Sequence, residues 1–435
     1  MASNLKASSH YWILFAAFFI FLWLRVPAAR HSPYYFDDFY NFRDTQKISS
    51  RPLAPFFETI SKEPRRHPFF SYLFFLEHKA FALDLSGYYT LLFLFHCLNS
   101  LLVTRLARSL GADPEAALFS GLLFLFSSAF YSILIILSST PYTTCLFFFI
   151  LAFLAWIDFI ERRQTSAFIK SCLFQTLSLL NCEVAFVLPL LAIEAVFLLG
   201  RKELRPAVLK YYWPVLALLN VLVFLYLLSD FFISPRKQWL SVHGALNIIP
   251  KFLSLLKMFF QPLFIPDKGF LPIPGPWENA FRLAPLWIAA FILIFFLRGK
   301  KKAPLLEPAN TPLIRMACGW IIITVLPYLG TSATFEHTTR YMYFPMVGFS
   351  LIFGVFAAGF FKTMRSANSR GGIFWGLVLL GYVLALNAAG TSYHFERYKR
   401  YMLENPENDC REKILALFNP RASAASSPGS TRTPA

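Results

Sequence analysis

The chain has 435 residues, of which 56% are hydrophobic and only 15% charged, with 51 phenylalanines. This composition excludes an ordinary soluble globular protein and calls for helices packed in lipid. The net charge of +17 raises nucleic acid as a partner, but the basic residues sit in short connectors between apolar runs, where topology signals and contacts to anionic head groups belong, so no nucleic-acid partner is expected. Five of the six cysteines lie in or beside apolar runs without C-x-x-C spacing, which points to neither a disulfide framework nor a zinc site.

A membrane span needs about 20 mostly apolar residues. In chain order, this predicts helices over 11–28, 87–106, 116–137, 141–160, 167–180, 183–199, 211–228, 285–297, 311–329, 341–361 and 373–389. The expected fold class is therefore all-α: a polytopic transmembrane helical bundle of about 11 spans, with a first external loop carrying short interfacial helices. The first run exceeds a signal-peptide core and lacks a small-x-small cleavage site, so it reads as a retained signal anchor. A stretch from Ala245 to Pro266 carries Lys251 and Lys257 and is broken by prolines; it reads as an interfacial helix rather than a span.

Five basic connectors, beginning at Arg105, Glu161, Arg201, Arg298 and Lys362, fall on one side under this count. The positive-inside rule makes that side cytoplasmic. The N-terminus is then cytoplasmic and the C-terminus external, in a cytoplasmic membrane or, in a eukaryotic cell, that of the endoplasmic reticulum. Most carboxylates and histidines outside the connectors fall on the external face. The domain reading is one membrane unit over 1–400 and a short external tail over 401–435, disordered from about 422 because it is small, polar and proline-containing.

The first external segment contains YYFDDFYNFRD, residues 34–44. Asp37 and Asp38 there suit either helix capping or a general base whose proton affinity is raised by Tyr35, Phe36 and Phe39. RRHPFF, with Arg66 and His67, suits an interfacial helix start or an anion site. His96 and Asn99, one helical turn apart in FHCLNS, suit interhelical hydrogen bonds. In EHTTRYMYFP, which contains Glu336, Arg340 followed by Tyr341 and Tyr343 suits an interfacial belt or a phosphate site. Glu183 opens an apolar run, where the helix dipole favours a carboxylate.

Taken in order, these elements resemble the C-type glycosyltransferase (GT-C) fold, and within it the protein O-mannosyltransferase family, including relatives whose membrane domain precedes tetratricopeptide repeats. The resemblance covers roughly 11–401. It rests on the acidic pair after the first span, the R-x-P element at Arg66, the GY…H-x-x-N pattern through His96 and Asn99, the N-C-E…LP element at Glu183, and RYMYFPMVGF. It implies that Asp37 acts on the acceptor hydroxyl with Asp38 as its neighbour, and that Arg340, with Arg66, His67, Tyr341 and Tyr343, meets the phosphate of a polyprenyl-phosphate sugar donor. His96, Asn99, Glu183 and Glu336 support that site. The acceptor is a hydroxyl on a protein, glycan or lipid, and a divalent metal, Mg or Mn, is left open. Two other classes stay open: a transporter or flippase for a lipid-linked sugar, and a non-catalytic assembly subunit. The mid-span residues are nearly all apolar and no internal repeat is evident, which disfavours the transporter.

Overall fold

The computed structural model describes residues 2–29, 36–57, 68–129, 131–227, 310–329, 339–366, 370–404 and 410–418. Within these, the helices are α1 (Ala2–Ala29), α2 (Phe36–Ser50), α3 (Ala54–Phe57), α4 (Pro68–Phe81), α5 (Leu85–Ser109), α6 (Pro114–Phe126), α7 (Tyr131–Ile135), α8 (Thr140–Arg162), α9 (Thr165–Leu179) and α10 (Leu188–Leu199). Then come α11 (Arg205–Ala207), α12 (Trp213–Leu227), α13 (Thr311–Leu329), α14 (Pro345–Ser366), α15 (Arg370–Glu404) and α16 (Arg411–Phe418). A π-helical turn, Val208–Tyr212, joins α11 to α12. It ends just before Pro214, which has no N–H to return to the Lys210 carbonyl.

Local chemistry explains where the central helices start and stop. The Asp84 carboxylate accepts the Ser86 N–H at 3.0 Å and caps α5. Asp113 accepts the Ala116 N–H at 2.8 Å and caps α6, whose first residue is proline. Arg163 closes α8 in the left-handed region at φ 59°.

Among the described residues, six helices are long and apolar enough to cross a membrane: Leu85–Ser109, Leu137–Arg162, Arg205–Tyr226, Thr311–Tyr328, Pro345–Arg365 and Gly376–Met402. Two shorter apolar helices accompany them, Trp12–Pro27 and Pro114–Phe126. The expected helix over 167–180 matches in length, while the one over 183–199 becomes α-helical later than predicted. The first is the 15-residue α9, and the second opens as a 3₁₀ turn, Glu183–Val187, before the 12-residue α10. At 1.5 Å per residue, α10 covers only about 18 Å of a core about 30 Å thick. The expected span over 285–297, the connector at Arg298, the Ala245–Pro266 segment and the tail from 422 lie outside the described residues.

The predicted span over 116–137 is corrected. α6 ends at Phe126, and the chain turns out through Ser127 (φ −60°, ψ 132°). The cause is tertiary: the Ser128 N–H and hydroxyl both donate to the Asn387 amide oxygen on α15, at 3.0 and 3.2 Å. Among the described residues of the connector 127–139, which are 127–129 and 131–139, the elements are the short α7 and a 3₁₀ turn, Leu137–Ser139.

α5, α6, α8 and α14 make the centre of the bundle; α1 packs on α5 and α6, α9 on α8, and α13 on α14 and α10. α6 and α14 approach through Gly354, where a Cβ would stand 2.3 Å from the Ala116 carbonyl oxygen. Small residues allow such contact between membrane helices. At one end of the bundle, Lys362 meets Asp113 and Arg365 meets Glu115, each at 2.6 Å. The basic connectors that follow α5 and α14 therefore share that end.

The opposite end is covered by α2, α3, α4 and α16. The Phe69 N–H donates to the Leu180 carbonyl at 3.3 Å, and the Tyr226 hydroxyl to the Phe56 carbonyl at 2.6 Å. Phe42 of α2 packs edge-on against Phe74, Tyr88 and Phe418, while the Gln46 amide donates to the Leu417 carbonyl at 2.6 Å. α16, drawn from the segment read as a tail, is thus part of this covering layer.

Candidate functional site

The connector 127–139 is where the predicted acidic and basic elements meet. Asp38 is 1% exposed, and its Oδ1 accepts the Ser138 N–H at 2.9 Å. Six residues earlier, Ser132 and Thr339 exchange two hydrogen bonds: the Thr339 hydroxyl donates to the Ser132 hydroxyl at 2.6 Å and accepts the Ser132 N–H at 3.2 Å. Thr339 opens the 3₁₀ turn Thr339–Met342 that carries Arg340. One short piece of chain therefore registers both α2 and the Arg340 turn. α15 grips the same piece through Asn387 and through His394, which stacks on Tyr131 with ring centroids 3.8 Å apart. Tyr89 of α5 adds a hydroxyl bond to the Ile135 carbonyl at 2.5 Å.

Asp37 is the second residue of α2, and its side chain lies outside what is described. Arg66, His67 and Glu336 also lie outside the described residues. Arg340 is half-buried, with its guanidinium carbon 5.8 Å from the ring centroids of both Tyr142 and Tyr341. Tyr341 in turn stacks on Tyr328 of α13 at 4.2 Å. Glu183 is half-buried at the start of its 3₁₀ turn and acts electrostatically on both Tyr142 and Tyr328. Sequence reasoning missed Tyr142 and Tyr328, which sit near the ends of apolar runs where a belt tyrosine is ordinary.

Tyr343, His96 and Asn99 come together elsewhere, inside the bundle. Tyr343 and both polar partners are fully buried. The Leu125 carbonyl, which can only accept, lies 3.0 Å from His96 Nε2, so that nitrogen carries the proton. His96 Nδ1 then accepts from the Tyr343 hydroxyl at 2.9 Å, and that oxygen accepts from Asn99 Nδ2 at 3.0 Å. Asn99 also donates to the Thr143 carbonyl at 2.8 Å. These bonds give His96 and Asn99 the helix-packing role that their spacing suggested, and they engage the Tyr343 hydroxyl in the same knot.

Two acids in the covering layer were also missed. Asp44, at the end of the YYFDDFYNFRD run, is 6% exposed; burial raises its carboxyl to about 7, although Arg43 and Lys47 pull the other way. Glu77 of α4 is 2% exposed, neither carboxyl oxygen has a hydrogen-bond partner among the described residues, and burial raises it to about 8. An acid that binds its proton more tightly when folded stabilises the fold most below its unfolded pKa and loses that contribution as pH rises through the folded value. For Glu77 the loss runs from near 4.5 to about 8. Glu77→Gln is expected to flatten this decline and to melt several degrees above the parent protein at pH 9. Thermal unfolding in detergent at pH 5, 7 and 9 checks it, and parallel curves would refute it.

Among the described residues, no three His, Cys, Asp or Glu side chains converge to hold a metal ion. A divalent ion therefore has no described donor set here.

No protein-family model matches the chain, and no curated protein matches it in sequence. Among solved structures, it is similar to the Archaeoglobus fulgidus oligosaccharyltransferase. In the crystal structure with a tethered acceptor peptide containing the NVT sequon, identity is 15% and the TM-score 0.51, over 88% of this chain and 55% of that one. In the complex with zinc and sulfate, identity is 14% and the TM-score 0.52, over 87% and 53%. ArnT from Cupriavidus metallidurans, bound to undecaprenyl phosphate, is 15% identical with a TM-score of 0.48, over 92% and 76%. The chain spans about half the length of the oligosaccharyltransferase. At such identities the likeness concerns fold, and the fold of this chain is that of the GT-C membrane glycosyltransferases.

Proposed function

We propose that the chain is a membrane glycosyltransferase that moves mannose or another hexose from a polyprenyl-phosphate-linked donor to a hydroxyl acceptor on the external face, with inversion at the anomeric carbon. The observation that carries this reading is the double anchoring of connector 127–139, through Ser138 to Asp38 and through Ser132 to the Arg340 turn. It ties an acidic helix and the turn that carries Arg340 to one connector, at the end of the bundle opposite the basic connectors that follow α5 and α14.

In this reading the acceptor oxygen attacks the anomeric carbon while its proton passes to Asp37, and the bond from that carbon to the phosphate oxygen breaks with its electron pair. A positioned carboxylate contributes on the order of 100-fold or more to such a step. The phosphate leaves without needing a proton because Arg340 meets its charge. Asp38 holds the start of α2 against the connector, which keeps Asp37 in register.

Arg340→Ala in the native host tests the reading, with the lipid-linked sugar pool and the glycosylated product followed together. Product is expected to fall at least about 100-fold while donor persists on the external leaflet. Normal product would refute the proposal. Donor trapped on the cytoplasmic leaflet would instead identify a flippase, and normal glycosylation with loss of a partner complex would identify an assembly subunit.

A further inference from the structure

Two cysteines 37 residues apart, a separation that carries no disulfide signal in the sequence, meet at the end of the bundle that holds connector 127–139. Cys145 lies in the second turn of α8, which follows directly on that connector. Cys182 lies between α9 and the 3₁₀ turn opened by Glu183. The two residues are 0% and 2% exposed. The Cys145 thiol donates to the Cys182 carbonyl at 3.6 Å, and its sulfur lies 3.3 Å from the Ser178 hydroxyl. The two thiols are also in hydrogen-bonding contact with each other. On its other side, the Cys182 thiol donates to the Glu183 carboxylate at 3.6 Å.

Helix packing does not require this pairing, because a buried cysteine behaves as a small apolar residue and needs only apolar neighbours. A sulfur in contact with the main chain of a second cysteine holds the two residues within the few ångströms that a disulfide spans. The carboxylate beside one sulfur adds a proton acceptor. It does not hold a standing thiolate, since two like charges repel, but it takes the proton as the sulfur reacts.

We infer that Cys145 and Cys182 are a disulfide site, oxidised in an external compartment by a protein disulfide or glutathione disulfide. The Cys182 proton passes to Glu183 as the sulfur attacks one sulfur of the oxidant, and the oxidant's other sulfur leaves and takes that proton from Glu183. The Cys145 sulfur then attacks Cys182 Sγ in the mixed disulfide, and its proton goes to the second departing thiol. Two S–H bonds of the chain become one S–S bond, and the S–S bond of the oxidant becomes two S–H bonds. Burial sets the timing: the bond forms before the bundle closes over the pair and is shielded from reductants afterwards. It ties the start of α8 to the turn before Glu183. From the glycosyltransferase reading, the inference takes only that this end of the bundle faces the external side, where thiols meet an oxidising environment.

The test is thiol trapping in membranes of the native host, lysed in N-ethylmaleimide, then denatured, digested and read by mass spectrometry with and without a reductant. A peptide pair joining 145 to 182 is expected, with both residues escaping alkylation and the pair separating on reduction. Reduction with a phosphine is also expected to lower the unfolding midpoint of the full-length protein in detergent by a few degrees and to leave that of Cys182→Ser unchanged. Trapping on the parent chain carries the test if that variant does not fold. Alkylation of all six cysteines in membranes, or a link from either residue to a different cysteine, would overturn the inference. Absence of the link with loss of product in Arg340→Ala removes the disulfide and leaves the glycosyltransferase reading standing. The link with normal product in Arg340→Ala removes that reading and keeps the disulfide.

Discussion

Asp37→Asn is expected to lower sugar transfer by about 100-fold or more, while Asp38→Asn keeps most of it and Asp38→Ala does not. The contrast follows from a bond that the structure describes for Asp38. Asp38 Oδ1 accepts the Ser138 N–H at 2.9 Å from a buried position. An asparagine amide oxygen can accept the same N–H, so the isosteric change preserves the tie between α2 and the connector and removes only the charge. Alanine removes the acceptor, leaves a buried N–H without its partner, and frees the start of α2. A proton acceptor tolerates neither change, because an amide cannot take up the acceptor's proton. Transfer rates measured with saturating lipid donor, together with donor binding by each variant, separate the two roles. Equal and normal turnover by Asp37→Asn and Asp38→Asn would remove both residues from the chemistry.

Tyr343→Phe is expected to destabilise the bundle by about 1–3 kcal/mol, the usual cost of stranding buried polar partners, without weakening donor binding. The hydroxyl is at once the donor to His96 Nδ1 and the acceptor from Asn99 Nδ2. Its loss leaves a ring nitrogen without a donor and one amide proton without an acceptor, where water does not reach. Individual hydrogen bonds between membrane helices average only about 0.6 kcal/mol, so an effect at the upper end would mark the stranded groups rather than the lost bond. Tyr341, two residues earlier, faces Arg340 instead, and Tyr341→Phe is the natural comparison. Thermal unfolding in detergent, paired with isoprenyl phosphate binding, reads both effects. Unchanged stability with weakened binding in Tyr343→Phe would return that residue to the donor site.

These two residues also mark how far the site was legible beforehand. The run RYMYFP signals a cation with phenols at the edge of a span, and order along the chain pairs it with YYFDDFYNFRD. Nothing in the run says that Tyr341 turns toward Arg340 while Tyr343 turns inward, because the 3₁₀ turn that holds Tyr341 ends at Met342 and breaks the single helix or strand period that patterning assumes. His96 and Asn99 were easier, since polar groups one turn apart within an apolar run have few options at membrane depth. Glu77 and Asp44 gave no signal, because a buried carboxylate and a solvated one are the same letter.

Hydropathy and length by themselves determined an all-helical membrane bundle, and the basic connectors determined that those after α5 and α14 share an end, because the cost of burying backbone polar groups and charges in lipid acts on each segment separately. Only the tertiary structure decided where the run over 116–137 stops being helix. Asn387, some 260 residues further along the chain, supplies the acceptor that draws Ser128 out of α6. The connector released by that one contact then holds Asp38 and the Arg340 turn together. Such a bond depends on two helices meeting in space, and no local pattern around either residue encodes it.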